Sequence, residues 1–259
     1  MKTSRLILTC ILLTFVAALP AMAGPRTFVS GLGNDANPGT REQPKRTFAS
    51  ALTVTNPRGQ IVALDSAGYG SSTLTINKSV SIIVPPGVAG FITVSGSSSG
   101  IVINAAATDV VTIRGLIIEN SNRSDFPDGV RSNSVGTLTL EDCAIRNFYT
   151  GINFYQGNAG RLQVRGGSVR QSANGILVQP WAAVALDAIV TGVVLADNAY
   201  GIFLYSVDGG TARLTAGDCT ISGNEVGLTS AGGQLVSFGT NSFAYNGFDG
   251  SFSSVTPRK

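Results

Sequence analysis

The residues best suited to chemistry lie close together in the chain: Asp125, Asp128 and Arg131, on and just after the polar stretch NSNRSDFPDG at residues 120–129. Two carboxylates three residues apart beside a guanidinium could anchor a uronate carboxylate in a charge-assisted pair. They are also the only candidates for acid/base catalysis, and Arg131 is a poor base because a free guanidinium stays protonated. The chain contains no histidine. That excludes a Ser-His-Asp triad, His-ligated zinc and imidazole proton transfer. The D-x-x-D spacing does not match an EF-hand loop and shows no cage of oxygen ligands, so calcium is unsupported and no cofactor or metal is expected.

A second set of residues suits binding. Arg131, Asn133, Asn153, Tyr155, Gln179, Phe203 and Tyr205 fall two or four residues after a recurring glycine, and Trp181 lies just beyond Gln179. Aromatic faces stack on the apolar faces of sugar rings, and amides hydrogen-bond hydroxyls. The plainer reading is that these aromatics cover a strand surface, where tyrosine is common anyway. Other polar groups read as structure. Asp142 and Asp218 occupy turn positions where glycine replaces them nearby, so they are set aside as a catalytic pair. Glu141 between Arg114 and Arg165, and Arg146 beside Arg170, read as surface charge on neighbouring strands.

What must position these groups is a repeat. A polar corner, a glycine and an alternating apolar strand recur with glycines at 129, 151, 175, 201, 227 and 250, at spacings of 22, 24, 26, 26 and 23. A second column keeps step: Gly115, Asp142, Gly166, Gly192, Asp218 and Asn241, all residues that tolerate the left-handed conformation. Between them the strands alternate, as at Leu138/Leu140, Ile152/Phe154 and Ile176/Val178. Two turn columns with one period predict a solenoid of parallel strands rather than a β-sandwich. Turns of such a stack lie about 4.8 Å apart. Cys143 and Cys219 sit at the same place three turns apart, about 14 Å, which is beyond disulfide reach. Two free, inward-facing thiols are expected.

The 259-residue composition agrees: 43% hydrophobic, 13% charged, 32 glycines. Such a mixture favours short strands and tight turns. Residues 1–23 read as a secretory signal peptide: Lys2 and Arg5, an apolar run from Leu6 to Leu19, and an A-x-A site at Ala21–Ala23, cut near Ala23-Gly24. The run is short for a membrane span. The leader holds two of 18 basic residues and none of the 15 acidic ones, leaving a mature chain of net charge +1. Nucleic acid is therefore not expected as a partner. The mature chain is expected to be secreted or periplasmic and to have no membrane span.

Residues 24–59 read as a strand, a loop and a short helix over 44–54 that starts at Pro44 and is anchored by Phe48, Leu52 and Val54. Residues 60–250 supply the solenoid turns and 251–259 a tail. The segments TFVSGLGNDANPGT (27–40) and QPKRTFASAL (43–52) resemble the opening of secreted bacterial right-handed parallel β-helix proteins of the pectate-lyase-like superfamily. The resemblance implies an all-β, right-handed parallel β-helix of about eight turns with a short N-terminal capping helix. It also implies a habit of handling polysaccharides. Many relatives of this shape carry a cysteine pair around the loop, where this chain has Gly39 and Lys45 or Arg46. The histidine-containing and calcium-binding catalytic sets of the superfamily have no counterpart here. The leading expectation is an exported protein that binds a polysaccharide along one face. The alternatives are a lyase or hydrolase acting on an acidic glycan, and a structural or adhesive surface solenoid.

Overall fold

The computed structural model describes residues 24–207 and 209–256, so the expected leader and the last three residues of the tail lie outside it. The chain winds into a parallel β-solenoid whose turns each contribute to three sheets. The first sheet has ten strands, the second eight and the third seven, giving about seven complete turns. Neighbours in every sheet pair in parallel. Inward side chains such as Leu138, Ile152, Phe154, Ile176 and Leu214 are fully buried and form one continuous apolar core. Cys143 and Cys219 belong to that core as free thiols, as the turn register requires.

Both turn columns do physical work, but not the same work. Gly115, Asp142, Gly166, Gly192 and Asp218 take φ values of 70°, 51°, 63°, 66° and 55°, which is the left-handed turn expected of them. Asn241 departs from the column. There Gly239 takes the positive φ of 86°, and the Asn241 side chain instead accepts from the Cys219 amide and donates to the Ala216 carbonyl. The repeat glycines serve close approach. A Cβ on Gly129, Gly175 or Gly201 would lie 2.5 Å from the carbonyl oxygen of the matching glycine in the following turn. Real Cβ atoms do not come that close to backbone, so these positions admit only glycine.

A third column escaped the sequence reading. Asn147, Gln171, Asp197, Gly223 and Tyr245 also have positive φ, at the corner between the second and third sheets. Beneath them runs an asparagine ladder. Ser172 N donates to Asn198 Oδ1, Asn198 N to Asn224 Oδ1, and Asn224 N to Asn246 Oδ1, each at 3.0 Å. Each asparagine amide then donates to the carbonyl of Val169, Leu195 or Ile221. The ladder supplies partners for backbone that bends out of the sheets, where buried polar groups must be satisfied.

The one helix among the described residues is Phe48–Val54, four residues later than the sequence suggests. Asp35 explains the shift. Its carboxylate accepts from the Arg46 and Thr47 amides, both at 2.9 Å, holding that segment extended, and Thr47 then caps the helix by accepting from Ser50 N. Phe48 and Leu52 are buried under it, closing the N-terminal end of the core. Lys78 donates to the Leu52 and Thr55 carbonyls at the far end of the helix. Lys45 is buried and its stem lies 3.4 Å from where a Cβ on Gly39 would stand. Gly39 and Lys45 therefore pack against each other across the loop. Among the described residues no helix is long and apolar enough to cross a membrane.

Candidate functional site

Four consecutive strands of the third sheet, Asp128–Ser134, Thr150–Gln156, Asn174–Pro180 and Tyr200–Tyr205, build the middle of its outward face. Their register aligns Arg131, Asn153, Leu177 and Phe203 in one row, with Tyr155 beside Gln179 in the next. A groove of about 390 Å³ lies over these rows. From the residues singled out in the sequence it gathers Asp128, Arg131, Asn153, Gln179, Phe203 and Tyr205. The long corner builds one wall. Phe126, 73% exposed at its tip, meets Tyr149 edge-on at 4.6 Å. Phe203 sits between Tyr200 and Tyr205 at ring separations of 5.6 and 5.9 Å.

Asp128 lies on the floor rather than on a solvated loop, and is almost wholly buried. Its carboxylate accepts from Asn153 Nδ2 at 3.1 Å and pairs with Arg131 at 3.4 Å. Burial pushes its pKa above the ordinary aspartate value, because desolvation outweighs the Asn153, Arg131 and Thr150 contacts that oppose it. Asn153 Oδ1 is buried without a hydrogen-bond partner. The groove floor thus holds a raised carboxyl beside an amide oxygen that has no partner among the described residues.

Three of the residues expected to contact sugar stand beside the groove rather than in its lining. Arg131 donates through Nε to Asn133 Oδ1 at 2.7 Å, and its guanidinium lies 5.2 Å from the centre of the Tyr155 ring. Tyr155 stacks in turn on Trp181 at 6.2 Å. Trp181 covers Gly157, where a Cβ would stand 2.3 Å from the indole. Asn133, Tyr155 and Trp181 thus form a brace beside the groove and hold Arg131 in place. The corner also separates groups that the sequence grouped together. Asp125 takes φ 55° in the turn and does not line the groove, and Arg123 points into a different cleft, where its guanidinium donates to the Phe148 carbonyl at 2.6 Å. The sequence reading missed Tyr149, Thr150 and Asn174, which line the groove. Thr150 and Asn174 occupy the position before the repeat glycine, in register with Asp128. Polar residues there, turning to Tyr200 and Val226 in later copies, were the available signal.

The described residues contain no group of three or more cysteine, aspartate and glutamate side chains placed to hold a metal ion. The family model of the right handed beta helix region matches residues 91–246. The chain belongs to that family. Among solved structures, this β-helix protein resembles pectate lyase Pel9A, with a TM-score of 0.56 at 13% identity, over 90% of this chain and 78% of the other. A rhamnogalacturonan lyase gives 0.47 at 13% identity over 90% and 65%. The GH136 lacto-N-biosidase from Eubacterium ramulus gives 0.44 at 13% identity over 90% and 67%. Likeness at this identity shows a shared fold. No curated protein sequence matches the chain.

Proposed function

We propose that this is an exported protein that binds a polysaccharide along the outward face of its third sheet. The observation that carries the reading is the in-register row of Arg131, Asn153, Leu177 and Phe203, flanked by Gln179 and Tyr205, over one continuous groove. The aromatic faces of Phe203 and Tyr205 stand there beside the hydrogen-bonding groups of Arg131, Asn153 and Gln179, the combination a sugar chain needs. The name of the neighbour at TM-score 0.56, a pectate lyase, supports a carbohydrate-handling scaffold. The test is a screen of the chain from residue 24 to 259 against pectin, alginate, glycosaminoglycans and neutral glucans, with and without calcium. Phe203→Ala with Tyr205→Ala should weaken binding about tenfold, the worth of one or two lost stacking contacts, and leave the melting temperature nearly unchanged. A large stability loss with unaltered binding would mean that the two rings are packing residues.

One observation favours catalysis on an acidic glycan as a second reading: Asp128 is a buried carboxyl with a raised pKa inside the groove. A carboxyl held above its ordinary pKa is better placed to carry a proton to a substrate than an ordinary aspartate. Hydrolysis would ask for a second carboxylate within roughly 10 Å, and among the described residues Asp128 is the only acidic side chain lining the groove. Unsaturated products and new reducing ends, read in the same screen, decide the matter. Their release, abolished by Asp128→Asn, would replace binding with catalysis. No interaction with any glycan would leave a structural or adhesive solenoid.

A further inference from the structure

On the other side of the Phe126–Tyr149 wall lies a larger cleft of about 710 Å³, set along the corner between the second and third sheets. Its floor is low because the column headed by Tyr149 continues as Ala173 and Ala199 before rising again at Glu225. The result is a trench parallel to the solenoid axis. Gln171 stands exposed along it, its amide engaged by no other side chain among the described residues.

The charges in the trench are arranged by end. Arg146 is held by Glu119, with Nε at 2.8 Å, and Asp197 pairs with Arg170 at 3.7 Å. These four cancel in pairs. Arg123 and Glu225 remain, and among the described residues neither takes part in an ion pair. Arg123 is fixed over the turn of Phe148 by its bond to that carbonyl. Glu225 follows Asn224, which lies three turns further along the ladder through Ser172 and Asn198. One uncompensated cation and one uncompensated anion therefore stand about 14 Å apart at opposite ends of one polar channel.

We propose that the trench is a second carbohydrate subsite that selects a zwitterionic stretch of glycan. A sugar carboxylate meets Arg123, a free ammonium on an amino sugar meets Glu225, and Gln171 serves hydroxyls between them. The inference rests on the glycan reading of the neighbouring groove and names a chemical feature of that same ligand. A uniformly anionic chain satisfies only the Arg123 end, and a uniformly cationic chain only the Glu225 end.

The test uses three oligosaccharide probes by calorimetry: one alternating glucuronate with free glucosamine, its N-acetylated and purely anionic counterpart, and a free glucosamine oligomer. The wild-type chain should bind the alternating probe tightest. Glu225→Gln should lower that affinity about fivefold, to the level of the N-acetylated probe, and leave the N-acetylated probe unaffected. Arg123→Gln should weaken both uronate probes by a similar factor and spare the glucosamine oligomer. Arg123 also pins the long corner, so the exposed Glu225 supplies a test free of any folding defect. Affinities for all three probes unchanged in both variants would overturn the trench subsite. Equal wild-type affinity for the alternating and N-acetylated probes would do the same. Phe203→Ala separates the two readings: a loss confined to Phe203→Ala upholds the groove alone, and losses confined to the trench variants uphold the trench alone.

Discussion

Two buried polar columns run side by side through this solenoid, and they differ in completeness. The column of Ser172, Asn198, Asn224 and Asn246 repeats one hydrogen-bonding unit from turn to turn, and the amides at Asn198, Asn224 and Asn246 all find carbonyls. The column of Asp128, Thr150 and Asn174 does not repeat. It mixes an acid, a hydroxyl and an amide, joined by a 3.4 Å contact between Asn174 and Thr150, and it borders the unpaired Asn153 acceptor. A ladder that satisfies itself has nothing to offer a ligand and belongs to folding. A column that leaves a desolvated carboxyl and a spare acceptor under a groove carries a cost that stability alone does not explain.

The contrast can be broken by experiment, and the largest effect should come from the ladder. Asn198→Ala removes the acceptor of Ser172 N and the donor to Val169 O at once. Urea unfolding should show a loss of roughly 3 kcal/mol, from stranded buried groups as well as missing bonds. Glycan binding should be untouched if the ladder is purely structural.

Asn174→Ala in the other column gives up one long contact and should cost about 1 kcal/mol or less, while weakening binding. Equal losses at 198 and 174 would erase the distinction between the columns.

Asp128→Asn should be smaller still in stability, and it carries a pH signature. Because the folded carboxyl has a pKa above its unfolded value, its ionisation favours the unfolded chain. Wild type should therefore lose stability relative to the variant as pH rises from the ordinary aspartate value of 3.8 through the higher folded value. Below that window the two should track each other. Parallel urea curves across the whole range would show that Asp128 is not desolvated.

The thiols should give the smallest response. Burial pushes Cys143 up to about 11 and raises Cys219 as well, so a thiol reagent at neutral pH should label neither residue until denaturant is added.

Much of the scaffold was readable from residue types because the repeat demands them. Left-handed turns at Asp142 and Gly166, free cysteines in one column, and the Arg114–Glu141–Arg165 ladder all follow from period and alternation. The groove was only half readable. Periodicity says that Arg131, Tyr155 and Phe203 point outward, but the direction a long side chain leans depends on its neighbours. Arg131 leans onto Tyr155, a contact that strand alternation does not reveal. Asn198 and Asn224 looked like ordinary corner residues because a ladder shows itself only when turns are stacked. The helix start was misplaced because a distant side chain, Asp35, set it.

The repeat glycines have a consequence for how such a chain can lengthen. From Gly129 to Gly227 each one lies against a carbonyl of the turn that follows it, so the constraint is handed forward to the next unit, and only Gly250 at the end meets the carbonyl of an earlier turn, that of Leu228. A tandem duplication of one unit, such as residues 152–175, brings its own glycine to the new junction and meets a familiar carbonyl on the other side. Insertion of an unrelated segment of equal length does not. The protein can therefore change its reach by copying itself far more easily than by borrowing, and an engineer extending the face would do best to obey the same grammar.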